Sequence, residues 1–554
     1  MRLSLCFHDS IGIDRRFPQA RPPGYRPNFS GSAMRRFFSF QHHGIEFDQK
    51  KYQGNLAEIP VVPEGGGMNP KAATLKNIGK NIVSLTTSEI VGRVLGSVTL
   101  LILPRYLGPA DYGIYSLAIS YFLLFSVAAN YGLNGLFIKD VARDKTLSQQ
   151  YYGTNIILKL LLTIFSFGML CLALYLLRYP LRDVKIILMI SSALFFYAIT
   201  QTNSAVYRAY EKMEYNALLE ISRSVLGLAG ILLIVNLQGN IFWIASIINI
   251  TYFLLAFLGT GIIHRKFFKI IWKTSGPLIL NTFKNSTPFF LVSAVAIIQN
   301  RIDVIMISKL VNNTEVGIFS AANELINILY LIPNLVSNVL FPVFSRQYYE
   351  STKSLVASGN LTIKYMAIIG LPISAGIYFV APSVIPLIYG ADYANAVSVM
   401  RILGLGIFIT FVLSLIAYVL TAADKIRHVT ITNLLSILAH IALNFWLIPL
   451  YGAGGAAAAL LISGCIGTVY LYRIYVTSFA GTVVLKSIIK PLLATLFMSL
   501  ILWLVQINLP FTILLGVCSY TVALGALRII DREEILMFRQ MIPFLTHSKF
   551  FFRS

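Results

Sequence analysis

The chain has 554 residues, of which 56% are hydrophobic and only 12% charged, with a mean hydropathy of +0.72. Soluble domains carry about a quarter charged residues, so this composition excludes a water-soluble enzyme and a chain disordered over most of its length. The net charge is nevertheless +22, from 45 Lys and Arg against 23 Asp and Glu; in so apolar a chain that excess reads as membrane topology rather than nucleic-acid binding.

Residues 1–67 are rich in Arg, Pro, Gly and His and hold no apolar stretch of signal-peptide length. They end in Glu64-Gly65-Gly66-Gly67, directly before Met68. Codons for Glu-Gly-Gly are purine-rich, as a translated prokaryotic ribosome-binding site would be. Two expectations stand side by side: a native start at Met68 behind a misassigned extension, or a disordered cytoplasmic tail. An intact Met1 in N-terminal mass spectrometry excludes the first.

From residue 81 to residue 529, apolar runs of about 20 residues follow one another, each long enough to cross a ~30 Å hydrocarbon core as a helix. Fourteen are counted, over 81–103, 112–138, 152–177, 184–207, 217–237, 240–263, 284–308, 316–342, 363–388, 397–423, 428–448, 453–477, 488–507 and 510–529. Short turns such as Pro104/Gly108/Pro109 and Tyr451-Gly452 join them. With the N-terminus inside, 26 of the Lys and Arg from Met68 onward fall on the inner side. Only Arg105, Arg178, Arg182, Lys185 and Lys309 fall on the outer side. This bias places both termini in the cytoplasm of a cell whose bacterial or archaeal nature stays open.

The cysteines, Cys6, Cys171, Cys465 and Cys518, form no CxxC pair, and no Walker A or HExxH motif occurs. No cofactor or metal is expected. His440 reads as a lone structural hydrogen-bonding group in the eleventh span.

An internal repeat is visible. Asp111-Tyr112-Gly113-Ile114-Tyr115-Ser116-Leu117-Ala118 opens the second span, and Glu315-Val316-Gly317-Ile318-Phe319-Ser320-Ala321-Ala322 opens the eighth. The offset of 204 residues is six helices, so the repeats are parallel. The expected architecture is an all-α polytopic membrane protein with about 14 transmembrane helices. It comprises an extension (1–67), a six-helix lobe (68–263), a cytoplasmic linker (264–283), a second six-helix lobe (284–477), two additional helices (478–530) and a tail (531–554).

The stretch from Arg105 to Tyr115, RYLGPADYGIY, resembles the first outer loop of the polysaccharide-transport family, which includes the O-antigen flippases. That family sits within the multidrug/oligosaccharidyl-lipid/polysaccharide exporter superfamily. The resemblance continues in Arg301-Ile302-Asp303-Val304-Ile305-Met306, in Tyr389-Gly390-Ala391-Asp392-Tyr393 and in Asn444 to Ala456. It covers residues 75–530. It implies fourteen helices in two lobes and movement of a polyprenyl-pyrophosphate-linked oligosaccharide toward the outside. The implied partners are that lipid-linked oligosaccharide, membrane lipids, and a polysaccharide polymerase and glycosyltransferases. A Na+ or H+ gradient is the expected source of energy.

Nine charged residues lie within spans: Glu89, Arg93, Lys159, Glu220, Arg223, Arg301, Asp303, Glu324 and Arg401. Facing lipid, each would cost about 2.5–3.5 kcal/mol and together roughly 20–30 kcal/mol, more than a typical net stability of about 5–15 kcal/mol. Most must face a wet cavity or a partner. Glu89 and Arg93 (i,i+4) and Glu220 and Arg223 (i,i+3) each share a helix face; they read either as ion pairs holding helices together or as cavity groups. Arg93, Arg301, Lys159, Arg223 and Arg401 form the candidate series of cationic contacts for a phosphate-bearing headgroup. Glu89, Glu220, Asp303 and Glu324 are candidate supporting or ion-coupling groups, with packing roles as the alternative. Asn130, Tyr131, Asn203, Asn334, Asn338 and Asn444 are candidates for sugar contact or for inter-helix hydrogen bonds. Prolines 288, 333, 342, 372, 382 and 386 are candidate hinges or static kinks.

The expected function is therefore a flippase working by alternating access through a cationic cavity in the cytoplasmic membrane, and not an enzyme. The competing readings are an ion-coupled multidrug exporter, which would want acidic residues in excess, and a membrane glycosyltransferase or polymerase, which would want a larger outer loop.

Overall fold

The computed structural model describes residues 70–529 apart from 273, 480–482 and 506–507, with side chains from residue 95 onward except 97 and 483–486. The 1–67 extension and the 531–554 tail lie outside the described residues. Among the described residues everything regular is helical, because runs apolar on nearly every side can satisfy their backbone polar groups in lipid only as helices.

The first group of helices runs α1 (Pro70–Asn130), α2 (Leu133–Arg143), α3 (Ser148–Leu176), α4 (Leu181–Ser191), α5 (Leu194–Ala209), α6 (Met213–Asn236) and α7 (Ile241–Lys266). The second runs α8 (Gly276–Leu310), α9 (Asn313–Leu329), α10 (Leu331–Glu350), α11 (Thr352–Tyr389), α12 (Ala396–Ala422) and α13 (Ile426–Phe479). Two further helices follow, α14 (Val483–Leu504) and α15 (Leu509–Ala526), packed on α11. Side-chain caps mark several starts. Asn240 Oδ1 accepts from the Phe242 amide and Asn312 Oδ1 from the Glu315 amide, at 3.1 and 2.9 Å.

Among the described residues, twelve stretches are long and apolar enough to cross a membrane. The fourteen read from the sequence are reached only when each of two very long helices is counted twice. α13 has 54 residues, about 80 Å at 1.5 Å per residue, far beyond the ~30 Å hydrocarbon core. It folds back at Gly452, whose φ of 56° and ψ of −133° suit only glycine. A Cβ on Gly455 would collide with the Leu447 carbonyl, so the two legs meet tightly at that turn. α1 breaks in the same way at Gly108 (φ 71°, ψ 168°).

Lys139, Arg143, Lys145, Arg208 and Lys212 gather at one end of the bundle, hereafter the cation-rich end. The opposite, cation-poor end carries Arg105, Arg182 and Lys309 and ties the two groups together through polar contacts. Asn313 donates to Asp183 at 2.7 Å and the Tyr393 hydroxyl donates to the Pro104 carbonyl at 2.9 Å, while within the first group Arg182 pairs with Asp111 at 2.7 Å. Tyr393 is fully buried, so Tyr393→Phe strands that carbonyl. The expected loss is about 1–2 kcal/mol, read as a lower midpoint in thermal unfolding of the detergent-solubilised protein.

Candidate functional site

A cavity of about 610 Å³ opens between α1, α6, α7 and α9. Its floor is glycine: Gly92 and Gly96 of α1 and Gly227 of α6 remove side chains where the helices would otherwise fill the space. Ser224 Oγ donates to the Gly92 carbonyl at 3.2 Å and holds α6 to α1 there. The walls are aromatic and aliphatic, with Tyr115, Phe122 and Tyr252. Three ionisable side chains face the space: Glu220, Arg223 and Glu324.

Arg223 Nε donates to Glu220 Oε2 at 2.8 Å, and both side chains stay nearly half exposed to the cavity. The sequence places this pair near a helix end. α6 instead starts at Met213, so Arg223 lies ten residues, about 15 Å, along it and reaches mid-depth. Glu324 of α9 faces Arg301 of α8 at 4.0 Å. Arg301 lies nine residues before the end of α8 and Glu324 eleven after the start of α9. Both are therefore some 14–16 Å from the cation-poor end. The structure thus brings Glu220, Arg223, Glu324 and Arg301 to one region near the bilayer centre. Each guanidinium there has a carboxylate beside it. Arg301 Nε is buried and has no hydrogen-bond partner among the described residues.

The remaining candidates go elsewhere. Lys159 does not line the cavity: it is 1% exposed, and its Nζ donates to Asn134 Oδ1 of α2 at 2.5 Å. Arg401 sits at the start of α12, stacked 4.5 Å from the Tyr378 ring centroid, with Nε donating to the Tyr378 carbonyl at 3.0 Å. Glu89 and Arg93 belong to α1, the helix that supplies Gly92 and Gly96 to the cavity, but their side chains lie outside the described residues.

Asp303 is buried behind Arg301, toward α13. Asn444 Nδ2 donates to its Oδ1 at 2.6 Å, and His440 Nε2 lies 2.8 Å from the same oxygen. His440, alone in the sequence, thus lies beside a buried carboxylate, although its Nε2 makes no hydrogen bond of good geometry among the described residues. The available signal is its i,i+4 spacing from Asn444, which puts both on one helix face. Replacing His440 by Leu leaves Asn444 as the carboxylate's one partner among these groups. The expected result is a fall in the thermal midpoint, with Asp303→Asn/His440→Leu less destabilised than His440→Leu alone.

The sugar-contact candidates mostly serve packing. Asn203 is buried, accepts from Tyr152 at 2.8 Å and donates to the Ala256 carbonyl at 3.3 Å. Tyr131 is sandwiched between Phe283 and Phe290 of α8, with centroids 4.3 and 4.5 Å away and rings nearly parallel. Asn338 accepts from Tyr418 at 3.0 Å.

The Tyr131 sandwich joins the first and second groups toward the cation-rich end. A different contact joins them at the cation-poor end, and the internal repeat makes it. A Cβ on Gly113 would collide with the carbonyl of Asn313, and a Cβ on Gly317 with the carbonyl of Pro109. The repeat offset of 204 maps Pro109 onto Asn313 and Gly113 onto Gly317. The contact is therefore made twice, by equivalent residues, about a pseudo-twofold axis. Tyr112, Leu117 and Ala118 on one side and Val316, Phe319, Ala321 and Ala322 on the other are all buried around it.

Two packed helix groups, a charged cavity between them, and a repeat-related contact closing one end define a polytopic membrane protein of the transporter kind. The sequence comparisons specify which. A family described as polysaccharide biosynthesis protein matches residues 78–347, and one described as MatE matches 288–446. The chain is 24% identical over 363 residues to a putative O-antigen transporter of Shigella dysenteriae, covering 63% of this chain and 88% of that one. It is 22% identical over 416 residues to a probable low-salt glycan biosynthesis flippase of Haloferax volcanii, covering 73% and 84%. In fold it is similar to the lipid II flippase MurJ in an inward closed conformation, with a TM-score of 0.63 at 19% identity over 83% of this chain and 99% of that one. By sequence the chain is thus similar to polysaccharide biosynthesis proteins over residues 78–347, and in fold to flippases and multidrug transporters of one superfamily.

Proposed function

We propose that the protein is a flippase that moves a lipid-linked oligosaccharide, joined through a pyrophosphate to a polyprenyl chain, across the cytoplasmic membrane for cell-surface polysaccharide synthesis. The observation that carries the proposal is the mid-depth grouping of Arg223 with Glu220 and Arg301 with Glu324 around a cavity of about 610 Å³. The relatives' names, O-antigen transporter and glycan biosynthesis flippase, support the same substrate class.

The chemistry follows from the pairing. An unaccompanied guanidinium at mid-membrane would bind a pyrophosphate too strongly to release it. With a carboxylate beside it, phosphate contact is an exchange of partners, and the net affinity falls into a range compatible with turnover. Arg93 is proposed as the third cation, on the α1 wall. Tyr115, Tyr252 and Asn327 line the same space and suit sugar rings and hydroxyls. The polyprenyl chain stays in lipid and only the head crosses. The two lobes, 68–263 and 284–477, rock about the cavity. The buried Asp303–His440–Asn444 group is the proposed place for a coupling Na+ or H+. The charge bias orients the cation-rich end, with both termini, to the cytoplasm.

Deletion of the gene in its own host tests the reading. The expected result is loss of surface polysaccharide with build-up of lipid-linked oligosaccharide in the membrane, both reversed by the wild-type gene. Normal surface polysaccharide, or drug sensitivity without precursor build-up, overturns it; the latter outcome would favour the multidrug exporter.

A further inference from the structure

Lys159 is the one Lys or Arg among the described residues that is fully buried. It lies eleven residues, about 16 Å, into α3. No carboxylate lies within ion-pair distance of it among the described residues. Its partner is a neutral amide, Asn134 Oδ1, which is in turn linked to Gln201 of α5 at 3.4 Å. An ammonium has three protons to place. One turn before and one turn after on the same face of α3 stand Asn155 and Thr163, 1% and 0% exposed. Among the described residues Asn155 Oδ1 and Thr163 Oγ1 are both without a hydrogen-bond partner, as is Ser166 Oγ further along that face.

A fixed charge here would be costly. The cavity arginines escape that cost with neighbouring carboxylates; Lys159 has none. Lysine, unlike arginine, has a second way out, which is to give up the proton. The stripe of acceptors gives the charged form somewhere to place its protons when it is loaded.

We propose that Lys159 and the acceptors Asn134, Asn155 and Thr163 form a proton-binding site inside the first helix group, loaded and unloaded as the protein changes conformation. This assigns Lys159 to a proton rather than to the substrate headgroup, and it stands independently of the substrate proposed above. Ionisable groups on the elements packed against α3 include Glu89, Arg93, Arg105, Tyr106, Asp111, Tyr112, Tyr115 and Tyr121 on α1, Tyr131 just past it, Lys139, Asp140 and Arg143 on α2, and Lys145 in the following turn. Arg182, Asp183 and Lys185 on α4, Tyr197, Tyr207 and Arg208 on α5, and Lys284, Arg301, Asp303 and Lys309 on α8 are further ones. Among the described side chains none of them bonds Lys159 Nζ, whose hydrogen bond goes to Asn134.

The test uses the purified full chain in lipid nanodiscs without substrate. Spin labels at positions 105 and 310 report the distance between the groups at the cation-poor end from pH 5 to pH 9. The expected result is a distance distribution that titrates in the parent. In Lys159→Met it is fixed at the high-pH form and in Lys159→Arg at the low-pH form. A parent that does not titrate, or two variants that titrate as the parent does, overturns the proposal. Should either variant fail to fold, Asn155→Leu and Thr163→Val keep it testable. Removing an acceptor disfavours the ammonium, so the midpoint should move at least one unit lower in pH, a tenfold loss of proton affinity. An unmoved midpoint in both overturns it. Because no substrate is present, failure here leaves the flippase reading to its own genetic test.

Discussion

Gly113→Leu and Gly317→Leu should each abolish transport. At both positions a side chain would have to occupy the place of a backbone carbonyl on the opposite helix, Asn313 in one case and Pro109 in the other. Backbone cannot rotate out of the way as a side chain can, so α1 and α9 must move apart. A displacement of that kind breaks the buried packing of Tyr112, Leu117, Val316 and Phe319 and opens the cation-poor end permanently. A carrier held open at one end cannot alternate, and export should fall to the level of the deletion strain. Gly168→Leu is the control. A Cβ at Gly168 would meet nothing within 4 Å, and the position faces outward from α3, so export should be unchanged. The measurement is surface polysaccharide at matched membrane abundance of each variant. Full export in either Gly113→Leu or Gly317→Leu would remove the seal from the mechanism.

Arg301→Ala and Arg93→Ala should each lower export at least tenfold, with Lys at either position restoring part of it. Arg301 shares its depth with Glu324 at 4.0 Å. Cutting the arginine back therefore does two things: it removes the proposed phosphate contact and leaves a partly buried carboxylate without its counter-charge. The two effects separate in Arg301→Ala/Glu324→Ala. That variant should regain the thermal stability lost in Arg301→Ala while export stays low. If export recovers together with stability, Arg301 is a packing residue and the cavity has no cationic role through it.

Much of the fold was legible because a bilayer imposes one rule on every segment. Runs near 20 residues long, separated by Pro and Gly, can be little else than crossing helices. What was not legible was which end of a long helix lies deep. Arg223 reads as terminal when its helix is started at 217, yet the four residues from Met213 are already helical, and the residue moves to mid-depth. Pairing across helices was also hidden. Glu324 and Arg301 stand 23 positions apart and Asp303 and His440 137 apart, and no periodicity links them. The burial of Lys159 was hidden for a different reason. Its acceptor is the neutral Asn134, which carries no charge pattern to betray a partner. The repeat, by contrast, was plain in the sequence, but its purpose was not. Only the packing reveals that its two glycines touch each other's helix rather than merely marking two similar turns.

Both ends are closed at glycine, but in different ways. At the cation-poor end each helix brings one glycine against the other's backbone, so the contact is made twice; at the cation-rich end Gly132 alone meets the Ser286 carbonyl, with Tyr131 beside it between Phe283 and Phe290. The two ring contacts add about 0.5–1.5 kcal/mol each beyond their buried area. One closure is therefore a handshake, each lobe offering the other the same surface, while in the other closure the first lobe supplies the key and the second the keyhole.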